Sequence, residues 1–202
     1  MTKLIIFDLD GVLVDACEWH RVALNQALKE ICDYEISLED HYTTFNGIPT
    51  RVKLKKLSDM GVVNIKQHDL VYNRKQELSI NIIEKNAKLD ISKINMINEL
   101  KKKGHVVACY TNSIRKTAYL MLTKIGVIDL FDYILTNQDV KESKPDPEGY
   151  EFIVNYFNFK KDNVIIVEDS PKGKQAAYAS GCNVLEVENP SEVDINLFKE
   201  II

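Results

Sequence analysis

The stretch LIIFDLDGVLVD, residues 4–15, joins an apolar run to two closely spaced aspartates and a glycine. The run Leu4–Phe7 contains no polar residue, which is typical of a strand buried on both faces of a parallel sheet. Asp8 and Asp10 follow at the end of this strand, where open parallel sheets bind their ligands. Asp15 is predicted to cap the helix that comes next. The stretch therefore predicts a buried strand that presents two carboxylates at one edge of a sheet.

Four further runs of β-type residues predict the other strands of this sheet. They are His105–Tyr110, Tyr133–Thr136, Val164–Val167 and Asn183–Val187. Helical patterns separate these runs, and the alternation from about residue 90 onward predicts a doubly wound parallel α/β sheet. Two of the helix starts carry clear capping signals, Asp146-Pro147 and Ser170-Pro171.

The span between the first and second predicted strands contains helical patterns only. Apolar residues recur there at helical spacing in three separate segments. We therefore expect residues 1–15 and 89–202 to form an α/β core, and residues 16–88 to form a helical lobe inserted after the first strand.

Composition and charge argue against several classes of function. The chain has 202 residues, 45% hydrophobic content and a formal net charge of -4, which suits one core with an inserted lobe. It has no basic face for nucleic acid, no apolar stretch of membrane-spanning length and no signal-peptide pattern. Its four cysteines are scattered without zinc-site spacing. We expect a cytoplasmic monomer or weak homodimer with no nucleic-acid or membrane partner.

Polar residues follow four of the predicted strands, and parallel strand ends meet at one edge of a sheet. They are Asp8 and Asp10, then Thr111, Asn112 and Ser113, then Lys144, and finally Glu168 and Asp169. Acids this close disfavour one another's ionisation unless a counter-charge is present. Oxygen ligands suit a hard cation, most plausibly Mg²⁺, and a lysine with a hydroxyl suits a phosphoryl group. A carboxylate that attacks phosphorus would form an aspartyl-phosphate.

Four segments carry a resemblance to a known family. They are DLDGVLVD (8–15), YTNS (110–113), SKPDP (143–147) and VEDSPKGKQAA (167–177). In this order they resemble the motifs of the haloacid dehalogenase superfamily, and more narrowly those of its phosphatase and β-phosphoglucomutase branch. The resemblance covers nearly the whole chain. It implies a Rossmann-like core with a helical cap and Mg²⁺-dependent chemistry on a small phosphorylated metabolite.

The resemblance also implies roles for the four acids. Asp8 is then the nucleophile and a Mg²⁺ ligand, and Asp10 is the general acid and base, with its backbone carbonyl on the metal. Asp169 ligates Mg²⁺, and Glu168 is either a further ligand or a support beside it. A plain turn at Asp8 and Asp10 is the structural alternative, and the other three motifs argue against it.

The remaining core motifs are implied to hold the substrate. Thr111 and Lys144 would hold the phosphoryl oxygens, and Asn112, through its backbone, and Ser113 would assist. Each has a structural alternative, since a Thr-Asn-Ser segment is also typical of a helix-capping loop, and Lys144 by itself resembles a surface lysine.

Substrate choice is expected to lie in the helical cap. His20 matches the position of cap-hinge histidines in the β-phosphoglucomutase branch, and a purely structural role is the alternative. The segment FNGIPTRVKL (45–54) resembles a cap loop that enters the active site. Gly47 would shape this loop, and Thr50 or Arg51 would contact a polar substrate. Arg51 on a solvated helix face is the alternative.

Together these features predict a Mg²⁺-dependent phosphatase that acts on a sugar phosphate or similar metabolite through an aspartyl-phosphate. A phosphosugar mutase with the same residues is the nearest rival. A catalytically silent binding protein of the same fold is less favoured. Such a protein would be expected to have lost at least one catalytic residue, whereas the complete set is present here.

Overall fold

The computed structural model describes residues 1–199, and the chain divides into two compact units. One unit comprises Met1–Asp15 and the chain from Ala87 onward, and the other comprises Ala16–Asn86. The first carries the sheet, and the second is helical.

The described residues contain one parallel sheet of five strands, in the order β3-β2-β1-β4-β5. Its strands are β1 (Leu4–Phe7), β2 (Val106–Thr111), β3 (Tyr133–Thr136), β4 (Val164–Glu168) and β5 (Asn183–Glu186). The predicted α/β class is thereby confirmed. β2 and β4 each end one residue later than expected, because Thr111 and Glu168 still pair in register with the neighbouring strand. The central strand β1 pairs with β2 and β4, so its end lies between theirs.

Eight α-helices occur within residues 1–199. They are α1 (Cys17–Cys32), α2 (Leu38–Asp40), α3 (Thr50–Asp59), α4 (His68–Asn86), α5 (Ile91–Lys102), α6 (Arg115–Lys124), α7 (Glu148–Tyr156) and α8 (Pro171–Ala179). None of the helices in this part of the chain has both the length and the apolar character needed to cross a membrane.

Two of the predicted helix caps are wrong, and one is confirmed. Asp15 lies one residue too early to cap α1, which begins at Cys17 and takes the intervening residue as its N-cap. Asp146 is also outside the cap position, because α7 begins at Glu148; its carboxylate instead accepts the Glu148 N–H at 2.9 Å. Ser170 caps α8 as predicted. Its hydroxyl satisfies one of the free N–H groups of the first turn.

The sheet is covered on both faces. Alternate strand residues such as Leu4 and Ile6 pack against α7 and α8, where they join one buried cluster with Ile153. On the opposite face, Phe7 makes edge-to-face contacts with Phe131 and Phe198 at centroid distances of 6.5 and 5.8 Å. Burying a large apolar side chain contributes roughly 1.5–3 kcal/mol. These layers hold the end of β1 in a fixed position.

The helical unit is built around the packing of α1 against α4. Its core consists of apolar side chains from α1, α3, α4 and the connecting loops. They include Ala23, Leu24, Leu28, Phe45, Leu54, Leu57, Val71 and Leu78. The helical spacing of these residues accounts for the three helical segments expected from the sequence.

His41 occupies an unusual position in this unit. It begins a π-helical turn, His41–Phe45, and only 2% of the residue is exposed. Among the described residues, neither ring nitrogen has a hydrogen-bond partner. Burial, together with the nearby Lys53 and Arg21 cations, lowers the pKa of His41 to about 4. The fold therefore keeps this imidazole neutral.

Replacing His41 with leucine is expected to reduce the loss of stability in acid. The unfolded chain protonates the imidazole below about pH 6.5, whereas the folded chain does so only near pH 4, so the free energy of unfolding falls as the pH drops between these values. The His41→Leu variant lacks this proton uptake. It should also gain about 1 kcal/mol at neutral pH, because two unsatisfied polar atoms are removed.

Urea unfolding at neutral pH and at about pH 5 measures both effects. The wild type should lose more stability than the variant between the two conditions. An equal loss in both proteins would contradict the burial of a neutral, unpartnered imidazole at this position.

Candidate active site

The central strand β1 delivers Asp8 to the carboxyl edge of the sheet. The Asp8 N–H donates to the Val167 carbonyl at 3.0 Å, which continues the pairing of β1 with β4 by one residue. Thr111 ends β2 and Glu168 ends β4, on either side of Asp8. The structure thus brings together residues from three of the sequence motifs, as the shared edge of a parallel sheet requires.

Lys144 lies at the centre of this group, with 3% of the residue exposed. Its Nζ donates to Asp8 Oδ1 at 2.6 Å, to Glu168 Oε1 at 2.6 Å and to the Tyr110 carbonyl at 2.9 Å. These three acceptors match the three donors of an ammonium group. Burial opposes the charged form, but the two carboxylates outweigh it and hold the pKa of Lys144 well above its ordinary value. Lys144 is therefore a buried, ion-paired lysine rather than a surface lysine.

The Asn112 side chain holds the backbone of this lysine. Its Nδ2 donates to the Lys144 carbonyl at 3.0 Å, and its Oδ1 accepts the Lys144 N–H at 3.1 Å. This pair of bonds ties the loop before α7 to the end of β2. Asn112 is predicted from the sequence to bind substrate through its backbone, whereas the side-chain clamp formed by these two hydrogen bonds was not predicted.

Glu168 is fully buried, and both of its carboxylate oxygens already accept hydrogen bonds. Oε1 accepts from Lys144 Nζ and from the Tyr150 hydroxyl, the latter at 2.7 Å. Oε2 accepts the backbone N–H of Asp169 at 3.1 Å. Of the two roles open to Glu168, these contacts favour a support that holds Lys144 and the start of the following loop.

Asp10 is oriented by two hydroxyl groups. Its Oδ2 accepts from Ser113 Oγ at 2.8 Å and from Thr111 Oγ1 at 3.2 Å. The Ser113 N–H in turn donates to Thr111 Oγ1 at 2.9 Å. The segment after β2 therefore fixes the Asp10 carboxyl group, in addition to the phosphoryl contacts that the resemblance implies for Thr111.

Asp169 completes a cluster of three carboxylates. Asp8, Glu168 and Asp169 each offer an oxygen, and these oxygens lie within 4.8 Å of one another. Burial and the neighbouring Glu168 raise the pKa of Asp169 to about 7, and burial above all raises the pKa of Asp8 well above its usual range. Among the described residues, Asp169 Oδ1 is buried without a hydrogen-bond partner. Ionisation of all three carboxylates is therefore unfavourable without a further positive charge, and together with the free oxygen of Asp169 this fits a hard divalent cation.

Gly11 makes room for this cluster. Its backbone has φ +91°, a conformation that L side chains rarely adopt. A Cβ atom at this position would lie 2.1 Å from Asp169 Oδ2. The glycine of the opening motif is therefore required by both the turn and the approach of Asp169.

The other predicted substrate-binding residues lie in the helical unit. His20 lies on α1, with its Nδ1 3.2 Å from Lys75 Nζ on α4. Gly47 has φ +73° in the loop that leads to α3, and Thr50 is the first residue of that helix. Their roles toward a substrate remain predictions.

Arg51 makes surface contacts within the same unit. Its side chain is 62% exposed, and its Nη1 donates to Asp69 Oδ1 at 3.0 Å. The guanidinium also lies 4.3 Å from the centroid of the Tyr72 ring. These contacts favour the solvated-face alternative for Arg51.

Two tyrosines of the site were not identified from the sequence. Tyr110 and Tyr150 pack edge to face with centroids 4.9 Å apart, and the Lys144 Nζ lies 4.7 and 5.0 Å from the two rings. A signal was available for Tyr110 alone, as a polar-tipped aromatic in an otherwise apolar strand. Its hydroxyl nevertheless has no hydrogen-bond partner among the described residues. Gly149 is also required, because a Cβ there would lie 2.2 Å from the Tyr110 ring.

Comparison with known proteins identifies the family. The family model described as haloacid dehalogenase-like hydrolase matches residues 5–187. A phosphoglycolate phosphatase of Haemophilus influenzae is 28% identical over 91% of this chain and 84% of its own length. The pyrophosphatase PpaX of Bacillus velezensis is 26% identical over 82% of this chain and 74% of its own.

A solved structure shares the fold. The β-phosphoglucomutase of Clostridium difficile has a TM-score of 0.84 at 20% identity, and the match covers 99% of this chain and 96% of that one. The chain belongs to the haloacid dehalogenase-like hydrolase family. The resemblance inferred from the four motifs is thus confirmed, and so is the prediction of an enzyme of this hydrolase family.

Replacing Lys144 with methionine is expected to destabilise the protein by about 3–5 kcal/mol, because two buried carboxylates lose their shared counter-charge. Lys101→Met is the matched control. Lys101 also pairs with an aspartate, Asp132, at 2.5 Å, but both side chains are about one-third exposed. Breaking such a pair should cost about 1 kcal/mol or less.

Chemical denaturation of both variants and the wild type measures the difference. Similar losses in the two variants would show that the Lys144 ion pairs are not the buried, structure-determining contacts described here.

Proposed function

We propose that this protein is a Mg²⁺-dependent phosphatase that hydrolyses a small phosphate monoester through an aspartyl-phosphate on Asp8. The observation that carries the proposal is the placement of Asp8 at the end of the central strand. There it is ion-paired with Lys144 and lies beside the Asp169 carboxylate. The phosphatase names of relatives across most of the chain support the same activity.

Asp8 and Asp169 would hold the metal ion, together with the Asp10 backbone carbonyl that the family resemblance implies. Glu168 would support them from behind through its bonds to Lys144 and the Asp169 N–H. When bound, Mg²⁺ offsets the negative charge of the carboxylates and of the phosphoryl oxygens.

The first half-reaction transfers the phosphoryl group to the enzyme. A carboxylate oxygen of Asp8 forms a bond to phosphorus, and the bond from phosphorus to the leaving oxygen breaks. The Asp10 carboxyl group gives its proton to that oxygen. The Ser113 and Thr111 hydroxyls hold Asp10 in place for this transfer.

The second half-reaction restores Asp8. Asp10, now a carboxylate, accepts a proton from water as the water oxygen attacks the phosphorus of the aspartyl-phosphate. The bond from phosphorus to Asp8 breaks, and inorganic phosphate is released. Lys144 stabilises negative charge on the phosphoryl oxygens throughout, since its charge is fixed next to Asp8.

The substrate is proposed to be a small phosphorylated metabolite, a sugar phosphate or similar compound. The core residues address only the phosphoryl group, so selection among metabolites is assigned to the helical unit. His20, Gly47 and Thr50 are its candidate contacts. A relative named for phosphoglycolate supports a substrate of this size.

Replacing Asp8 with asparagine is expected to abolish turnover, because the amide is not a nucleophile and forms no acyl-phosphate. Release of inorganic phosphate from p-nitrophenyl phosphate and from a panel of phosphorylated metabolites, with and without Mg²⁺, measures the activity. Asp15→Asn is the matched control, since Asp15 belongs to the same motif but is exposed. It should retain wild-type rates.

The outcomes separate the proposal from its rivals. Substantial hydrolysis by Asp8→Asn would overturn the nucleophile assignment. Little phosphate release combined with dependence on a bisphosphate activator would indicate a mutase. Absence of any Mg²⁺-stimulated turnover by the wild type would indicate a binding protein.

A further inference from the structure

We propose that Tyr150 is a positioning residue for this reaction, whose hydroxyl controls how Lys144 is shared between Glu168 and the nucleophile Asp8. The inference rests on the proposed function and adds a residue that the sequence motifs did not single out. Tyr150 is the third residue of α7, six residues after Lys144, and is fully buried.

The hydroxyl of Tyr150 meets the same oxygen that binds the lysine. It donates to Glu168 Oε1 at 2.7 Å, and Lys144 Nζ donates to that oxygen at 2.6 Å. Tyr150 is therefore two hydrogen bonds from Lys144 and three from Asp8. Its ring also lies 5.0 Å from the ammonium, within the range of a cation–π contact.

Two carboxylates compete for one ammonium group here. Asp8 Oδ1 and Glu168 Oε1 lie at the same distance, 2.6 Å, from Lys144 Nζ. The Tyr150 hydroxyl is a neutral donor, and it fills part of the hydrogen-bonding capacity of Glu168 Oε1. This weakens the pull of Glu168 on the lysine and leaves more of the cation's attraction for Asp8.

Close packing restricts the position of the Tyr150 side chain. Its ring packs edge to face on Tyr110, and Gly149 lets the two elements approach so closely. Gly173 closes the other side of Glu168, because a Cβ atom there would lie 2.0 Å from Oε1. Packing against Tyr110 therefore keeps the Tyr150 hydroxyl on the Glu168 carboxylate, and the lack of a side chain at Gly173 leaves room for that carboxylate.

Removing only the hydroxyl, in Tyr150→Phe, tests the proposal. Glu168 Oε1 then keeps the lysine as its sole side-chain donor among the described residues and draws Nζ away from Asp8. The full chain with Mg²⁺ and p-nitrophenyl phosphate is the assay, because nitrophenolate leaves without a proton and the rate reports on attack by Asp8. We expect kcat to fall on the order of tenfold, the effect of one hydrogen bond to a charged group, with KM changed by less than about twofold.

Tyr178→Phe is the matched control. It removes another tyrosine–glutamate bond, to Glu186, but at an exposed position. Its kcat should equal that of the wild type. Thermal unfolding of both variants gives the folded fraction, so that rates are compared per folded molecule.

A double-mutant cycle with Glu168→Gln separates positioning from a general structural effect. If Tyr150 acts through the Glu168 carboxylate, Tyr150→Phe should change kcat by less than about twofold in the Glu168→Gln background. An undiminished tenfold effect in that background would overturn the proposal, as would a Tyr150→Phe variant with the kcat of the control. An inactive wild type would instead overturn the proposed function, so the two failures are distinguishable.

Discussion

The ammonium group of Lys144, held between Asp8 and Glu168 in the interior of the protein, is the interaction on which the rest of the site depends. A buried ion pair is tolerated only when its geometry is good and its remaining donors and acceptors are satisfied. Here the third donor of the lysine goes to the Tyr110 carbonyl, and Glu168 uses both oxygens. These demands fix the ends of β1, β2 and β4 and the loop before α7 relative to one another.

The parallel sheet is the scaffold that makes such a group possible. Because β1 lies between β2 and β4, carboxylates that are far apart in sequence are brought to a common edge. The apolar layers on both faces keep that edge from relaxing toward solvent. A single flexible loop could carry Asp8 and Asp10, but it could not hold Lys144 and Glu168 at hydrogen-bond distance from each other.

The sequence was sufficient to predict what depends on local pattern. Runs of β-type residues located the strands, Ser170-Pro171 located the start of α8, and the four motifs identified the family. The errors concern details of one or two residues, such as the placement of Asp15 before α1, where the backbone of the next residue is already helical. The Asn112 clamp and the role of Tyr150 could not be predicted, because each depends on a partner supplied by another segment of the folded chain.

The buried carboxylates that the proposed chemistry needs also destabilise the fold. One lysine balances two of the buried carboxylates, and Asp169 adds a third whose Oδ1 has no partner among residues 1–199. Folding alone would favour an apolar or neutral side chain at that position. A buried carboxylate oxygen without a hydrogen-bond partner is stabilised only when a positively charged group binds to it. Asp169 therefore destabilises the fold when no positive charge is near it, and a cation held at this cluster, as proposed above, would offset that destabilisation.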